Sequence, residues 1–334
     1  MRLSAFLAVA VVALTGAPSA RAAERYAVVI TGAAGSAEHA AQHGAWRDAL
    51  AKALLTTMKM PPDHIRLLGD VASERKADRT VTDDVEVSSR ERVRAAFTDL
   101  AGKMEKDDLL LVVLIGHATW DGVDAKFNLV GPDLEAGEWK SLVAEIKGRV
   151  VFVDTAAASA PFLQRIAGDR RIVITATDSG VQRYETVFPR FFVQAFSEAE
   201  TDLDKDQRLS IWEVFARASL GVRQYYRQRG QLTVERPVLD DTGDGVGKDA
   251  GSVGADGAIA SRTFLDDADD PARAGGPALS ELVARRNALE SELDELKKRK
   301  DFMRLAEYEK RRDDVIIEIA RVSRKIRTEQ AGKS

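Results

Sequence analysis

Four short apolar runs, none broken by a charge, constrain this chain more than any other feature. They are Tyr26–Thr31 (YAVVIT), Leu109–Ile115 (LLLVVLI), Val150–Val153 (VVFV) and Ile172–Ala176 (IVITA). A strand with no polar alternation must bury both faces, which is the condition of a parallel sheet covered by helices on both sides. Helical spacing fills the gaps between the runs. Trp46, Leu50, Ala53, Leu54 and Met58 fall on one face, ahead of the stop at Pro61-Pro62. Val93, Phe97 and Leu100 do the same within 89–103, and further helices are predicted near Glu138–Ile146, from Phe162 and over Phe188–Phe196. Ile65–Leu68 adds a short strand, whereas the polar stretch Asp70–Ser88 has little to bury and is predicted as a long loop. The pattern predicts an α/β fold, an α/β/α sandwich around a parallel sheet, whose chemistry collects at the carboxyl ends of the strands.

The first residues predict export. Met1-Arg2 is a short positive start, Leu3–Thr15 is apolar, and Ala20-Arg21-Ala22 has the small-x-small pattern of a signal-peptidase site. The apolar run is shorter than the roughly 20 residues that a spanning helix needs. Residues 1–22 are therefore expected to be a signal peptide. The remainder is expected to be exported to a periplasmic or extracellular space without spanning a membrane. The chain contains no cysteine, which removes disulfides, thiolate metal sites and thiol nucleophiles. A net charge of −4 gives no basis for a nucleic-acid surface.

Organisation follows from composition shifts. Residues 23–240 carry the α/β pattern, and 241–276 are rich in Gly and Asp and are expected to be a flexible linker. Leu282, Leu289, Leu293 and Leu296, then Val315, Ile319, Val322 and Ile326, give two apolar seams at heptad-type spacing. They predict an antiparallel helical hairpin or short coiled coil over 277–330, able to mediate self-association.

Two strand ends resemble a known family. In LLLVVLIGHATWDG, His117 follows a buried strand; in VVFVDTAAASAPF, a buried strand meets Asp154-Thr155-Ala156. This order and spacing resemble the caspase/legumain (clan CD) peptidases, in which one strand ends in His-Gly and the next in an acidic-x-Cys turn. RRIVITATDSGVQRYETVFPRFFVQAF is similar to the strand that precedes the specificity pocket on the legumain-like, bacterial side of that family. The resemblance covers about residues 24–245. It implies a cysteine-peptidase mechanism in which a thiolate attacks a peptide carbonyl beside an imidazole and an oxyanion hole. Carried over, His117 takes the imidazole position, and Ala118 replaces the glycine of the oxyanion loop. Ala156 takes the cysteine position, with the register open by one residue to Ala157. A methyl group cannot attack a carbonyl, so the family's reaction is not expected. Ser159 is the alternative nucleophile, if His117 can act as its base, and its other reading is a helix cap ahead of Pro161.

A second motif lies at 202–213. Asp202, Asp204, Asp206, Ser210 and Glu213 occupy positions one, three, five, nine and twelve of an EF-hand-like loop, with the Arg208 carbonyl at seven. The spacing predicts one bound Ca²⁺, weakened because Gln207 stands where the turn normally uses glycine. His39 and His43, four apart, are predicted to be surface histidines rather than a metal pair, and His64 carries no signal. Asp240–Gly245 is read as an acidic surface turn. Together these observations predict a catalytically inactive binding module for a peptide or protein partner, stabilised by calcium. Two alternatives are a hydrolase using Ser159 with His117 and a purely structural envelope protein.

Overall fold

The computed structural model describes residues 23–331; positions 78, 83, 183, 253, 255, 267–280 and several between 283 and 302 lie outside the described residues. The apolar runs form the centre of a seven-stranded sheet. Its strands are β1 (Arg25–Thr31), β2 (Ile65–Gly69), β3 (Val85–Val87), β4 (Leu109–Ile115), β8 (Arg149–Asp154), β9 (Arg171–Thr175) and β10 (Val238–Asp240). The short strands β5 (Ala118–Trp120), β6 (Ala125–Phe127) and β7 (Leu134–Glu135) form a separate antiparallel sheet just after β4. The spatial order of the large sheet is β10-β9-β8-β4-β1-β2-β3. All its pairs are parallel except β10 with β9. Thus β4, the most apolar strand, lies between β1 and β8.

Each strand divides its residues between two cores with period two. Val29, Leu111, Val113, Val151 and Ile172 face one layer, where α1 (Ala37–Thr56), α6 (Phe188–Ala195) and α7 (Ile211–Gln228) pack. Val28, Leu110, Val112, Phe152 and Val173 face the other, with α3 (Arg90–Lys103), α4 (Ala136–Ala144) and α5 (Ala160–Ile166). On that side Trp139 is fully buried and meets Phe97, Phe127 and Phe152 edge-on at 5.8–6.3 Å between ring centres.

Two stretches differ from the expectation. Asp70–Ser88 is not simply a loop: Asp70 caps α2 (Val71–Lys76) by accepting from the Ser73 N–H, and β3 closes the sheet edge. The helix exists because Glu74 has a buried cation to meet, Arg47 of α1, which is a long-range pairing that local composition does not display. The described residues of 241–266 are likewise folded onto the domain rather than a free linker. Asp241 is buried and accepts from the N–H groups of Gly257, Ile259 and Ala260, while Ala260 and Leu265 enter the core. The aspartates that suggested solvation are here acceptors for turn amides.

At the C-terminus a single long helix spans Leu305–Ala331. Val315, Val322 and Ile326 on it form a small apolar cluster with Leu289, bordered by Leu282, Leu293 and Ile319. Among the described residues no helix is long and apolar enough to cross a membrane.

Candidate functional site

The end of β4 is pressed against the end of β1. The Gly32 N–H donates to the Ile115 carbonyl at 2.9 Å. A side chain on Gly32 would stand 2.3 Å from the Asn128 carbonyl oxygen, and Gly116 has a φ of +151° with Gly32 directly behind it. Only glycine allows this approach, and it delivers His117 to the rim of the sheet. The His117 carbonyl is held by the Asn128 N–H at 3.0 Å.

What faces His117 was not anticipated. α1 begins at Ala37, with Ser36 Oγ accepting from the His39 N–H, so His39 and His43 lie one helical turn apart on the side turned to β4. Their ring centres stand 4.8 and 5.3 Å from that of His117 and 5.7 Å from each other. His43 is only 3% exposed, which corrects the surface assignment: α1 starts several residues earlier than its apolar stripe and turns this histidine inward. Glu185, from the loop before α6, reaches both helical histidines, with 3.2 Å from Oε2 to His39 Nε2 and 3.6 Å from Oε1 to His43 Nε2. Burial, then the neighbouring His43 and His39, hold the His117 ring below the usual histidine range. The approach of His43, and then the neighbouring His39, hold Glu185 below the usual carboxylate range. Three of the four histidines in the chain therefore meet at one strand end.

The second turn is stitched from several directions. Both the N–H and the hydroxyl of Thr155 donate to the Leu114 carbonyl, and the Thr186 hydroxyl donates to the Thr155 carbonyl at 2.5 Å. Ser159 sits at the N-cap position of α5, but its side chain does not cap that helix. It is fully buried, accepts from the Thr177 N–H at 3.2 Å and lies 3.2 Å from the Thr177 hydroxyl, which donates to the Ala157 carbonyl. Ala156 is wholly buried, whereas Ala157 is partly exposed. Asp154 is the anomaly. Its Oδ1 accepts from the Ala156 N–H at 2.9 Å, and its Oδ2 is buried without a hydrogen-bond partner. Complete burial pushes this carboxyl up to about 7, against the pull of the Ala156 N–H.

Between these turns opens a cleft of about 520 Å³, lined by residues 118–122, by Ala158 and by Gly180, Val181 and Gln182. Its floor is β5, which follows His117, and its far wall is the loop after β9. Val181 and, farther along the same loop, Tyr184 are large apolar groups left 68% and 76% exposed. Glu235 fixes the other end of this loop, accepting from the N–H groups of Val187 and Phe188 and from the Tyr226 hydroxyl.

The acidic loop is wound as its spacing predicts. Gln207 has a φ of +66° and Lys205 one of +60°, the left-handed turn that the missing glycine would normally supply. Asp202 accepts from the N–H groups of Asp206 and Gln207, and Asp206 accepts from that of Arg208. Oxygens of Asp202, Asp204 and Asp206 lie within 4.8 Å of one another, and this triad could hold a metal ion. Glu213 points elsewhere: it accepts from the Leu203 N–H, the Ser210 N–H and the Ser210 hydroxyl in a capping box of α7. The Arg208 side chain bonds Asp266 and covers the Phe264 ring. A distant residue, Arg286, donates to Asp204 at 3.1 Å and to Asp206 at 2.6 Å. Burial, and then Asp206, still push Asp204 up to about 7.

Glu185, Thr177 and Arg286 had no signal in the sequence, because each acts across a long separation on a partner that it does not flank. No protein-family model matches the chain, and no curated protein matches it. Among solved structures it is similar to the crystal structure of protein GSU0716 from Geobacter sulfurreducens. The identity is 11%, the match covers 65% of this chain and 92% of that one, and the TM-score is 0.40. Likeness at that level carries no argument about what this chain does.

Proposed function

We propose that the chain is an exported, non-catalytic module that binds a peptide or protein segment in the strand-end cleft. The observation that carries this reading is the cleft itself, lined by β5 directly after His117 and by the exposed Val181, in a chain with no cysteine to attack a bound carbonyl. The resemblance to the caspase/legumain family supports the same cleft as a peptide site. Ser159 is a poor substitute nucleophile on physical grounds, since its hydroxyl is buried against Thr177 and is engaged in holding two loops together. The hairpin expected over 277–330, whose first half lies largely outside the described residues, is proposed to offer a second partner surface; Leu289 packs in the apolar cluster of the last helix.

Whether Ala156 or Ala157 stands where the family has its cysteine can be tested by exposure. Ala157→Cys is expected to react with iodoacetamide in the folded chain, and Ala156→Cys to react only after unfolding, because one methyl is partly exposed and the other is buried. Mass spectrometry of the alkylated chains reads this directly. Equal labelling of both would remove the geometric basis for assigning the position.

The triad of aspartates is proposed to take calcium in competition with Arg286. Calcium would bring the hard oxygen-seeking charge that Asp202, Asp204 and Asp206 lack, while Arg286 supplies a single softer one. Calorimetric titration of chelator-treated chain should give weak binding, on the order of 10⁻⁴ to 10⁻³ M. Arg286→Ala should tighten it by about tenfold, the effect of roughly 1.4 kcal/mol of lost competition. If neither chain releases or absorbs heat at several millimolar calcium, the loop is an arginine-clamped helix cap and the calcium reading fails.

A further inference from the structure

We infer that His39, His43, His117 and Glu185 form a binding site for one divalent transition metal ion, with zinc as the best match to the donor set. Imidazole nitrogen with one carboxylate is a typical zinc shell, and the two helical histidines have the i, i+4 spacing by which one helix supplies two ligands. The spacing of the rings carries the argument further. In a tetrahedral site with Zn–N near 2.05 Å, imidazole centres lie on the order of 5 Å apart. Here the three separations are 4.8, 5.3 and 5.7 Å. Glu185 bridges His39 and His43 at 3.2 and 3.6 Å, about the distance between neighbouring ligand atoms around one ion. As the side chains stand, their ligand atoms do not all lie within 4.8 Å of one another; closing the shell requires rotation of rings and carboxylate about their side-chain torsions, which leaves the ring centres where they are.

Burial supports the same assignment. His43 is almost wholly enclosed, so its ring is held in place against that of His117. The ligands also come from rigid places: one helix, the end of the central strand, and a loop whose far end is tied down by Glu235. The site is chemically distinct from the all-oxygen loop at 202–206, which suits a harder cation. It does not depend on the cleft binding a peptide.

The test is a titration of the full chain, made without a polyhistidine tag and stripped with chelator, first with Zn²⁺ by calorimetry and then with Co²⁺ by visible absorption. The expected result is one equivalent of zinc bound and an intense tetrahedral cobalt spectrum that zinc displaces. His39→Ala, at the outer side of the cluster, and His117→Ala should each weaken zinc binding at least tenfold and abolish the cobalt bands. His64→Gln, which alters the one histidine outside the cluster, should change neither. Circular dichroism and thermal melting of each metal-free variant separate loss of ligand from loss of fold. The inference is overturned if folded wild-type chain takes up no stoichiometric zinc, or if binding survives both His39→Ala and His117→Ala.

Discussion

Replacing Arg47 with methionine is expected to destabilise the domain by about 3–5 kcal/mol, the cost of stranding one partner of a buried ion pair. Arg47 is fully buried in α1 and donates to both oxygens of Glu74, at 2.5 and 3.0 Å, and Glu74 is itself 1% exposed. Arg79 approaches the same carboxylate and pairs with Asp48, so the guanidinium holds together α1, α2 and the chain leading to β3. Without Arg47, Glu74 would keep its charge against only the longer 3.4 Å contact from Arg79, in a tightly packed space: even a methyl group on Gly44 or Gly69 would collide with this pair. The double substitution Arg47→Met with Glu74→Leu should recover most of the loss, because an apolar pair of similar volume leaves no charge behind. Urea denaturation of the wild-type chain and the two variants reads the difference. A loss below about 1 kcal/mol for Arg47→Met, the range of an exposed pair, would mean that the pair does not anchor the helix that presents His39 and His43.

Asp154→Asn is expected to stabilise the fold at pH 8 and to destabilise it slightly at pH 4. The folded carboxyl titrates at about 7 because it is wholly buried, whereas the unfolded one titrates near 3.8. Between those values the folded chain keeps a proton that the unfolded chain has lost, so stability falls as pH rises from about 4 to 7 and levels off above. The full effect of that separation is on the order of 4 kcal/mol. The unpartnered amide of the asparagine would offset roughly 1–2 kcal/mol of it, leaving a gain of about 2 kcal/mol at pH 8. At pH 4 the folded carboxyl is neutral, so only the cost of the amide remains and Asp154→Asn should lose roughly 1–2 kcal/mol. The measurement is the denaturation midpoint of each chain at the two pH values. A loss of stability at pH 8 would show that the ionised carboxylate has a favourable partner, which contradicts the isolation of Oδ2.

The layered sheet was legible because burial on both faces leaves an unmistakable mark: LLLVVLI and VVFV have no polar residue to turn outward. His117 and the Asp154–Ala156 turn were legible for the same reason, as polar residues that abruptly end apolar strands. The acidic loop also showed itself, since a turn that must wind left-handed places its acceptors at fixed spacing; Gln207 adopts the positive φ without being glycine. What stayed hidden depends on pairing across the chain. Glu74 makes a helix out of a polar stretch only because Arg47 waits 27 positions away. Asp241 folds the Gly/Asp-rich segment by accepting amides 16 to 19 residues on. His43 turned inward because Ser36 started its helix early, and Glu185 met it from a loop with no motif of its own.

The central claim, that the strand-end cleft binds a peptide without cutting it, is tested most directly by incubating the full chain with a degenerate peptide library and analysing bound and free fractions by mass spectrometry. A subset of peptides should be retained intact, with no new termini in the free fraction. Thr119→Trp places a large ring on an exposed β5 position in the cleft floor, so it should abolish retention while leaving the fold stable. Cleavage products that disappear on Ser159→Ala, or retention that Thr119→Trp leaves unchanged, would contradict the account.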